Sequence, residues 1–259
     1  MSEKKLVIFD LDGTLLYTVP DIAAATNQAL AACGYPVHSE KEIASYIGNG
    51  INKLFERALP ENARSQEEVL RVRSLFLPYY GEHCADMTRP FDGIPELLAA
   101  ICRRGIKVAV ASNKYHPATV KLMQHFFPEI PFCAVFGERE GVPRKPEPAI
   151  VWDILRVAGI SFPDPGHSPS LTADDGRGSV LYIGDSGVDM QTAANAGIEA
   201  VAVTWGCRTR EELASCSPAY IVDRPEQIAD ILFNDTSCRC LDEGNRPTHA
   251  DASSLRDSI

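Results

Sequence analysis

Two aspartates stand two positions apart in the segment Asp10-Leu11-Asp12-Gly13-Thr14. Carboxylates this close repel each other and resist removal from water, so they need a cation or a proton between them. Such a pair can also divide a phosphoryl transfer, one carboxylate attacking phosphorus while the other moves a proton. The alternative is an aspartate-rich turn without chemistry, which is the better hypothesis for an isolated D-x-D-G.

Further polar residues of suitable types occur later in the chain: Ser112, Asn113, Lys145, Asp185 and Asp189. A carboxylate can attack a phosphate dianion only where cations screen the repulsion, and Lys145 would supply one such charge. Carboxylate oxygens are the ligands that Mg²⁺ prefers, and a bound Mg²⁺ would relieve the repulsion between the acids. These residue types therefore predict phosphoryl transfer, with Asp10 as the attacking group and Asp12 as the group that moves a proton.

Short apolar segments stand before several of these residues. Residues 6–9 are continuously apolar and predict a strand buried on both faces, and residues 106–111 and 180–183 predict two more. Lys145 lies in a loop beyond a fourth short strand, expected at 134–136. Because the carboxyl ends of parallel strands meet at one edge of a sheet, where such sheets bind ligands, we expect the polar residues to meet there.

The rest of the chain after residue 93 alternates helices with strands. The remaining elements expected there are helices over 95–104, 117–127, 149–158 and 189–196 and a strand over 200–204. Repeated β-then-α units of this kind predict an α/β fold with a doubly wound parallel sheet, a Rossmann-like core.

The segment between the first strand and residue 90 looks entirely helical. An alanine-rich helix is expected over 21–33, capping boxes that begin at Ser39 and Ser65 predict two more, and Pro78 is expected to kink or split the last one. An all-helical insertion at this point predicts a cap domain over the site. The predicted parts are a catalytic core of residues 1–16 and 90–233, a cap of residues 17–89 with hinges near 16–20 and 89–93, and a disordered tail of residues 234–259.

Charge and composition restrict the class of protein. The 259 residues include 25 basic and 35 acidic side chains, a net charge of −10, which disfavours nucleic acid or an anionic membrane as a partner. No apolar segment approaches the roughly 20 residues that cross a bilayer, and the first residues lack the apolar core of a signal peptide, so we expect a cytoplasmic protein. The 8 cysteines form no C-x-x-C pair, which favours reduced thiols. No catalytic part is assigned to the turn-rich loop at 163–179 or to the tail.

The motifs resemble, in order, those of the haloacid dehalogenase superfamily, and within it the phosphoglycolate phosphatase branch. The matching segments are residues 10–14, Ser112-Asn113-Lys114, Lys145 within 144–148, and 184–189, and the resemblance spans about residues 4–232. It implies that Asp10 is the nucleophile and Asp12 the acid and base, whose main-chain carbonyl also reaches the metal. It further implies that Ser112 and Asn113 hold phosphate, that Lys145 orients the nucleophile, and that Asp185, with support from Asp189, completes the Mg²⁺ site.

The cap contains one segment that resembles the lid loop of phosphoglycolate phosphatases, Gly48-Asn49-Gly50. Its glycine amides could bind an anion, and Asn49 and Lys53 are candidate contacts to the leaving group. The alternative is a glycine-rich helix connection followed by a solvated lysine. Tyr17 stands where the family usually has an acidic residue, which affects the substrate preference but not the chemistry.

The leading hypothesis is a Mg²⁺-dependent phosphatase, monomeric or homodimeric, that hydrolyses a small phosphorylated metabolite through an aspartyl phosphate, with 2-phosphoglycolate as the first candidate. Pyrophosphatase or sugar-phosphate phosphatase activity on the same fold is an alternative. A non-catalytic regulatory protein that binds a phosphoryl group is a second one, which the spacing of Asp12 and the helical cap disfavour. Taken singly, Ser112 could cap a helix, Lys145 could be a solvated charge and Asp189 could be an N-cap.

Overall fold

The structure is a computed structural model that describes residues 3–162 and 176–233. The predictions for the tail at 234–259 and for most of the loop at 163–179 lie outside these residues. The strands are β1 (Leu6–Phe9), β2 (Leu16–Tyr17), β3 (Arg89–Pro90), β4 (Lys107–Tyr115), β5 (Ala134–Glu138), β6 (Val180–Gly184), β7 (Glu199–Val203) and β8 (Tyr220–Val222). The α-helices are α1 (Val19–Ala32), α2 (Glu40–Tyr46), α3 (Ile51–Ala58), α4 (Gln66–His83), α5 (Ile94–Arg103), α6 (His116–Phe126), α7 (Ala149–Ala158), α8 (Gly187–Ala196), α9 (Arg210–Ala214) and α10 (Pro225–Phe233).

The core is a six-stranded sheet in the order β5-β4-β1-β6-β7-β8. Every neighbouring pair in it is parallel. The strand order reverses between β1 and β6, and sheets of this kind bind ligands in the crevice at such a reversal. The predicted doubly wound parallel sheet is confirmed.

Alternating side chains of the strands enter two separate apolar clusters, one on each face of the sheet. In β1, Val7 and Phe9 pack on the face covered by α5, α6 and α10. Leu6 and Ile8 pack on the opposite face, against α7, α8 and α9. Since both faces are covered, the central paired parts of the strands are apolar, and polar residues stand towards the strand ends.

The register of the sheet aligns the residues that follow the central strands. Phe9 stands opposite Val110 on one side and Ile183 on the other. The amide N–H of Asp10 continues this pattern and donates to the carbonyl oxygen of Ile183 at 2.9 Å. Consequently Asp10 and the residues after β6 leave the sheet at the same level.

Strand β4 differs from its prediction. Residues 106–111 were expected, but the strand runs from Lys107 to Tyr115, and its pairing with β5 is irregular between Ala111 and Tyr115 before it resumes with Tyr115 opposite Glu138. Strand β5 also extends further than expected, to Glu138, and Glu138 pairs with Tyr115 at the end of β4. A Cβ atom at Gly137 of β5 would lie 2.5 Å from the carbonyl oxygen of Lys114, so only glycine lets the two chains approach so closely there.

The other expected elements have bounds within about two residues of their predictions, a normal uncertainty for element ends. Strands β2, β3 and β8 and helices α3, α9 and α10 were not predicted, and the two short strands β2 and β3 show that the segment up to residue 90 is not entirely helical. Pro78 does not split α4, which runs unbroken through it. Phe76 and Tyr80, on either side of Pro78, are both buried, so packing against the cap offsets the main-chain hydrogen bond that proline removes.

Helices α1 to α4 lie between β2 and β3 in the chain and form the inserted helical cap. Ser39 and Ser65 are the N-caps of α2 and α4, as the sequence predicts. Strands β2 and β3 pair with each other in antiparallel fashion where the chain leaves the core and returns. None of the helices in the described ranges is both long and apolar enough to cross a membrane.

The buried carboxylate of Asp21, in the first turn of α1, ties the returning chain to the start of the cap. It accepts hydrogen bonds from the amide of Met87 at 3.0 Å and from the amide of Thr88 at 2.8 Å. Charged acceptors make stronger hydrogen bonds than neutral ones, and buried amides left without a partner are costly.

Replacing Asp21 with alanine should therefore lower the free energy of unfolding by about 2–3 kcal/mol, measured by urea denaturation. Asp21→Asn is the matched control, because its amide oxygen can still accept one of these bonds, and it should lose less. Equal stability of the alanine variant and the wild type would contradict this role of Asp21.

Candidate active site

One cavity opens between the cap and the carboxyl ends of the central strands. Its volume is about 780 Å³, including the part open to solvent. Eight of the predicted site residues line it. Gly48 and Gly50 come from the cap, and the other six come from the core: Asp10, Asp12, Ser112, Asn113, Lys145 and Asp185. The structure therefore brings together residues that are up to 175 positions apart in the chain, from Asp10 to Asp185.

Lys145 occupies the centre of the buried polar cluster. Its Nζ donates to Asp10 Oδ1 at 2.8 Å, to Asp189 Oδ1 at 2.7 Å and to the carbonyl oxygen of Ala111 at 2.9 Å. Its side chain is only 2% exposed, which excludes the alternative of a solvated charge. The hydroxyl of Tyr182 lies 3.2 Å from the same Nζ. Sequence reasoning missed Tyr182, whose single polar atom sits within an otherwise apolar strand.

Asp10, Asp185 and Asp189 form a compact group of acids. One carboxylate oxygen from each lies within 4.8 Å of the others, and all three residues are buried. Asp185 Oδ2 accepts a hydrogen bond from the amide of Cys207 at 2.8 Å. Asp10 and Asp185 each keep one carboxylate oxygen that forms no hydrogen bond with the described residues.

Asp189 is used differently, because both of its carboxylate oxygens have protein partners. Oδ1 accepts from Lys145, and Oδ2 accepts from the amide of Ser186 at 3.2 Å. Ser186 is the N-cap of α8 and Asp189 is the third residue of its capping box, so the alternative of Asp189 as an N-cap is wrong. Asp189, which is outside the described cavity lining, thus fixes the position of the Lys145 ammonium.

The protonation of this cluster follows from burial and crowding. Burial raises the pKa of Asp10 well above its usual value, and the attraction of Lys145 opposes this while Asp189 and Asp185 add to it. Burial, together with the charge of Asp189, raises the pKa of Asp185 to about 7. Burial alone would lower the pKa of Lys145, but Asp10 and Asp189 raise it well above the usual value, so the ammonium stays charged.

The acids fit a hard divalent cation. All the available donors are oxygens, and three carboxylates share the one ammonium of Lys145, which leaves negative charge for a cation to balance when all three are ionised. Two glycines leave room around Asp185: a Cβ atom would lie 2.3 Å from its Oδ2 at Gly13 and 2.2 Å from it at Gly206. Asp185 has a free oxygen available for such an ion, and Asp10 could offer it Oδ1, the oxygen that also accepts from Lys145.

Asp12 lies beside this cluster with partners of its own. Its Oδ1 accepts from the hydroxyl of Thr18 at 2.7 Å and from Lys114 Nζ at 2.9 Å. The Lys114 side chain is 5% exposed and also lines the cavity. Sequence reasoning gave Thr18 and Lys114 no role, although a lysine directly after Ser112-Asn113 at a strand end was a usable signal.

Ser112 and Asn113 both belong to the irregular part of β4. Ser112 Oγ accepts from the amide of Lys114 at 3.2 Å, and because α6 begins only at His116, Ser112 does not cap that helix. The Asn113 Nδ2 group donates to the carbonyl oxygens of Gly48 at 3.1 Å and Lys145 at 3.0 Å. Asn113 Oδ1 accepts from the amide of Lys145 at 2.9 Å. The amide donors of Asn113 are therefore occupied, and its side chain has none left for phosphate.

The glycine-rich segment of the cap reaches the cavity through its main chain. Gly48 and Gly50 line the cavity, whereas the side chain of Asn49 accepts from Arg57 Nη2 at 2.8 Å and is absent from the described lining. On the core side, Arg208 Nη2 donates to the carbonyl oxygen of Ile47 at 3.0 Å. Contacts of this segment with the core thus run between core side chains and cap carbonyls.

Two further predicted residues lie away from the cavity. Lys53 forms an ion pair with Glu56 on the surface of α3 and is not part of the described cavity lining. Tyr17 packs against the ring of Phe91, and the guanidinium of Arg89 lies 4.7 Å from its ring centroid. Tyr17 therefore joins the two strands that connect cap and core.

Comparisons with known proteins agree with this geometry. Residues 7–203 match the family model of haloacid dehalogenase-like hydrolases. Phosphoglycolate phosphatase of Pectobacterium atrosepticum is 32% identical over 230 residues, 86% of this chain and 89% of that protein. N-acetylmuramic acid 6-phosphate phosphatase of Pseudomonas aeruginosa is 35% identical over 233 residues, 88% of this chain and 94% of that protein. The crystal structure of a proposed phosphoglycolate phosphatase from Lactobacillus delbrueckii subsp. bulgaricus matches with a TM-score of 0.78 and 32% identity, covering 89% of this chain and 99% of that one.

The raised pKa of Asp185 predicts how stability depends on pH in a chelating buffer. An aspartate in the unfolded chain loses its proton near a pKa of about 3.9, whereas Asp185 in the folded protein keeps it up to about 7. Between these values the folded state holds more protons, so the free energy of unfolding should fall as the pH rises from about 4 to about 7.

Urea denaturation at several pH values measures this dependence, and Asp185→Asn provides the control because its amide does not ionise. The variant should show a smaller decline than the wild type. An identical decline in both proteins would mean that Asp185 does not carry the effect.

Proposed function

The chain belongs to the haloacid dehalogenase-like hydrolase family and is a phosphatase of that family, and from this we propose that it is a Mg²⁺-dependent phosphomonoesterase that forms an aspartyl phosphate on Asp10. The observation that carries this proposal is the position of Lys145. A buried ammonium 2.8 Å from Asp10 and a second carboxylate two residues later are what a carboxylate nucleophile requires at a phosphate dianion.

Asp10 is the proposed nucleophile. Lys145 binds its Oδ1 and so fixes the direction of Oδ2, which has no hydrogen-bond partner in the described protein and attacks phosphorus. A new bond forms between Asp10 and phosphorus while the bond from phosphorus to the ester oxygen breaks. The hydroxyl of Ser112, which lines the cavity and whose proton has no acceptor among the described residues, donates to a phosphoryl oxygen.

Asp12 is the proposed acid and base. In the first step its carboxyl group gives a proton to the departing ester oxygen, which leaves as an alcohol. In the second step the carboxylate takes a proton from water, whose oxygen attacks phosphorus and breaks the bond to Asp10. The sum is one phosphate ester and one water converted to one alcohol and one inorganic phosphate.

The proposed metal ligands are the side-chain oxygen of Asp185 that is free of protein partners, Asp10 Oδ1, which would be shared with Lys145, and the main-chain carbonyl of Asp12. Asp10 Oδ2 then remains free to attack phosphorus. When bound, Mg²⁺ supplies positive charge that balances the acids and the phosphoryl oxygens. Asp189 contributes indirectly, since its carboxylate holds Lys145 at 2.7 Å.

The cap is proposed to comprise residues 17–89 and to close over the cavity, with residues 1–16 and 90–233 as the catalytic core. Closure would exclude water from the reacting groups and let cap residues contact the leaving group. Gly48 and Gly50 support this assignment because they line the same cavity as Asp10.

The first proposed substrate is 2-phosphoglycolate, which the similarity to phosphoglycolate phosphatase supports. N-acetylmuramic acid 6-phosphate is a second candidate, supported by the relative of that specificity at 35% identity. A panel of phosphorylated metabolites that includes both compounds, sugar phosphates and pyrophosphate separates the candidates by kcat/KM.

Removing the nucleophile should abolish turnover, whereas removing the residue that carries the proton should slow it. Asp10→Asn should release no phosphate from an aryl phosphate above background, because the amide cannot form the covalent intermediate. Asp12→Asn should lose about 10²–10⁴-fold in kcat, the usual contribution of acid and base catalysis. Unchanged turnover in the Asp10 variant would refute the mechanism, and Asp86→Asn, at an exposed position on the cap, is the control.

Mg²⁺ should raise the melting temperature of the wild type at neutral pH, because it balances the buried acids of the folded protein only. Asp185→Asn should weaken this stabilisation by about 10-fold or more in Mg²⁺ concentration, since it removes a charged ligand. Thermal melts with increasing Mg²⁺ measure the effect without any turnover. An equal response of both proteins would remove Asp185 from the metal site.

A further inference from the structure

The side of the cavity next to Asp12 contains two buried polar groups that the protein satisfies only in part. Lys114 Nζ donates to Asp12 Oδ1 at 2.9 Å and lies 4.7 Å from the ring centroid of Tyr80. The Tyr80 hydroxyl is buried and has no hydrogen-bond partner in the described part of the chain. Lys114 comes from the core and Tyr80 from helix α4 of the cap, and both line the cavity.

The hydrogen-bonding capacity of these two groups exceeds what the protein supplies. A lysine ammonium has three N–H donors, and among the described residues Lys114 has only the carboxylate of Asp12 as an acceptor. A tyrosine hydroxyl is normally bonded when it is buried, because losing its bonds with water is costly. The two groups thus stand beside the cavity with hydrogen-bonding capacity that the contacts of the described residues do not use up.

The neighbouring wall of the cap offers no competing polar side chain. Ile22, Leu54 and Phe76 line the same cavity, and the Phe76 ring stacks on Tyr80 with its centroid at 5.0 Å. An apolar wall with one ammonium and one hydroxyl favours a small ligand that has an anionic oxygen beside a short carbon chain.

Asp12 fixes where that oxygen would be relative to the reacting atoms. As the proposed proton donor, Asp12 must lie within hydrogen-bond distance of the ester oxygen, and Lys114 Nζ is 2.9 Å from Asp12 Oδ1. A carboxylate one carbon away from the ester oxygen is thus within reach of the ammonium. A carboxylate also has two oxygens, one for Lys114 and one for Tyr80.

We propose that Lys114 and Tyr80 form the subsite for a carboxylate on the leaving group, so that the preferred substrates are phosphate esters of short hydroxy acids. The inference rests on the proposed phosphatase function and adds to it the residues that select the substrate. It also gives the cap a direct part in selection, since Tyr80 reaches the carboxylate only from the cap.

The test compares two substrates that differ in the carboxylate, 2-phosphoglycolate and ethyl phosphate. The wild type should prefer 2-phosphoglycolate in kcat/KM, and Tyr80→Phe and Lys114→Met should each reduce this preference at least about 10-fold, the effect of losing one hydrogen bond to a charged group. Lys114→Arg should restore part of the preference because it keeps the charge. The controls are Tyr79→Phe, which removes a hydroxyl outside the described cavity lining, and Lys41→Met, at an exposed position on α2.

Thermal stability separates a ligand-binding role from a structural one. The Tyr80 hydroxyl has no partner in the described protein, so Tyr80→Phe should melt no lower than the wild type while it loses selectivity. A lower melting temperature with unchanged selectivity would show a structural role and overturn the proposal.

Other results would also decide against it. Equal losses for both substrates would mean that Lys114 and Tyr80 act only through Asp12. If Arg208→Lys lost selectivity and the two subsite variants did not, the carboxylate of the substrate would bind near Arg208 and not near Lys114 and Tyr80. A wild type that hydrolyses both esters equally would overturn the subsite and leave the phosphatase function intact, whereas a wild type that releases no phosphate from any ester would overturn both.

Discussion

The buried ammonium of Lys145, shared by Asp10 and Asp189, is the interaction on which the rest of the site depends. Buried charges are tolerated only when they are paired and hydrogen-bonded, and Lys145 meets this condition with two carboxylates and a carbonyl oxygen. Asp185 completes a group of three acids around that single ammonium. When all three acids are ionised, the excess of two negative charges equals the charge of one divalent cation, while Asp12 and Lys114 form a separate pair.

The fold produces this arrangement by the way its central strands end. Asp10 and Asp185 follow β1 and β6, the two strands between which the sheet order reverses, so no helix connection covers the space between them. Tyr182 projects from β6 on the face covered by α8 and places its hydroxyl within 3.3 Å of Asp189 Oδ1. Asp189, the third residue of α8, therefore binds Lys145 and is itself close to Tyr182 of β6. These contacts fix the start of α8 relative to β6.

The sequence was sufficient to predict the parallel sheet, the helical cap and the six core residues that share the cavity, because these follow from local patterns of apolar segments ending in polar residues. It was not sufficient for contacts that only folding creates. Lys114 and Asp12 are 102 positions apart, and Tyr182 is hidden within an apolar strand pattern. The end of β4 was placed too early because the residues beyond Ala111 are polar, and their burial depends on the close approach of Gly137 from the neighbouring strand.

The misplaced strand end has a functional consequence. Since β4 continues past Ala111, Asn113 and Lys114 lie between two paired residues of the strand, Ala111 and Tyr115, and their side chains extend to different parts of the cap. Asn113 binds the carbonyl oxygen of Gly48 and the main chain of Lys145 at once, and Lys114 lies between Asp12 and the ring of Tyr80. Each cap contact is thus made by a residue that also holds a member of the proposed catalytic group. A shift of the cap would disturb both contacts together, so its position and the geometry of Lys145 and Asp12 are coupled through one strand.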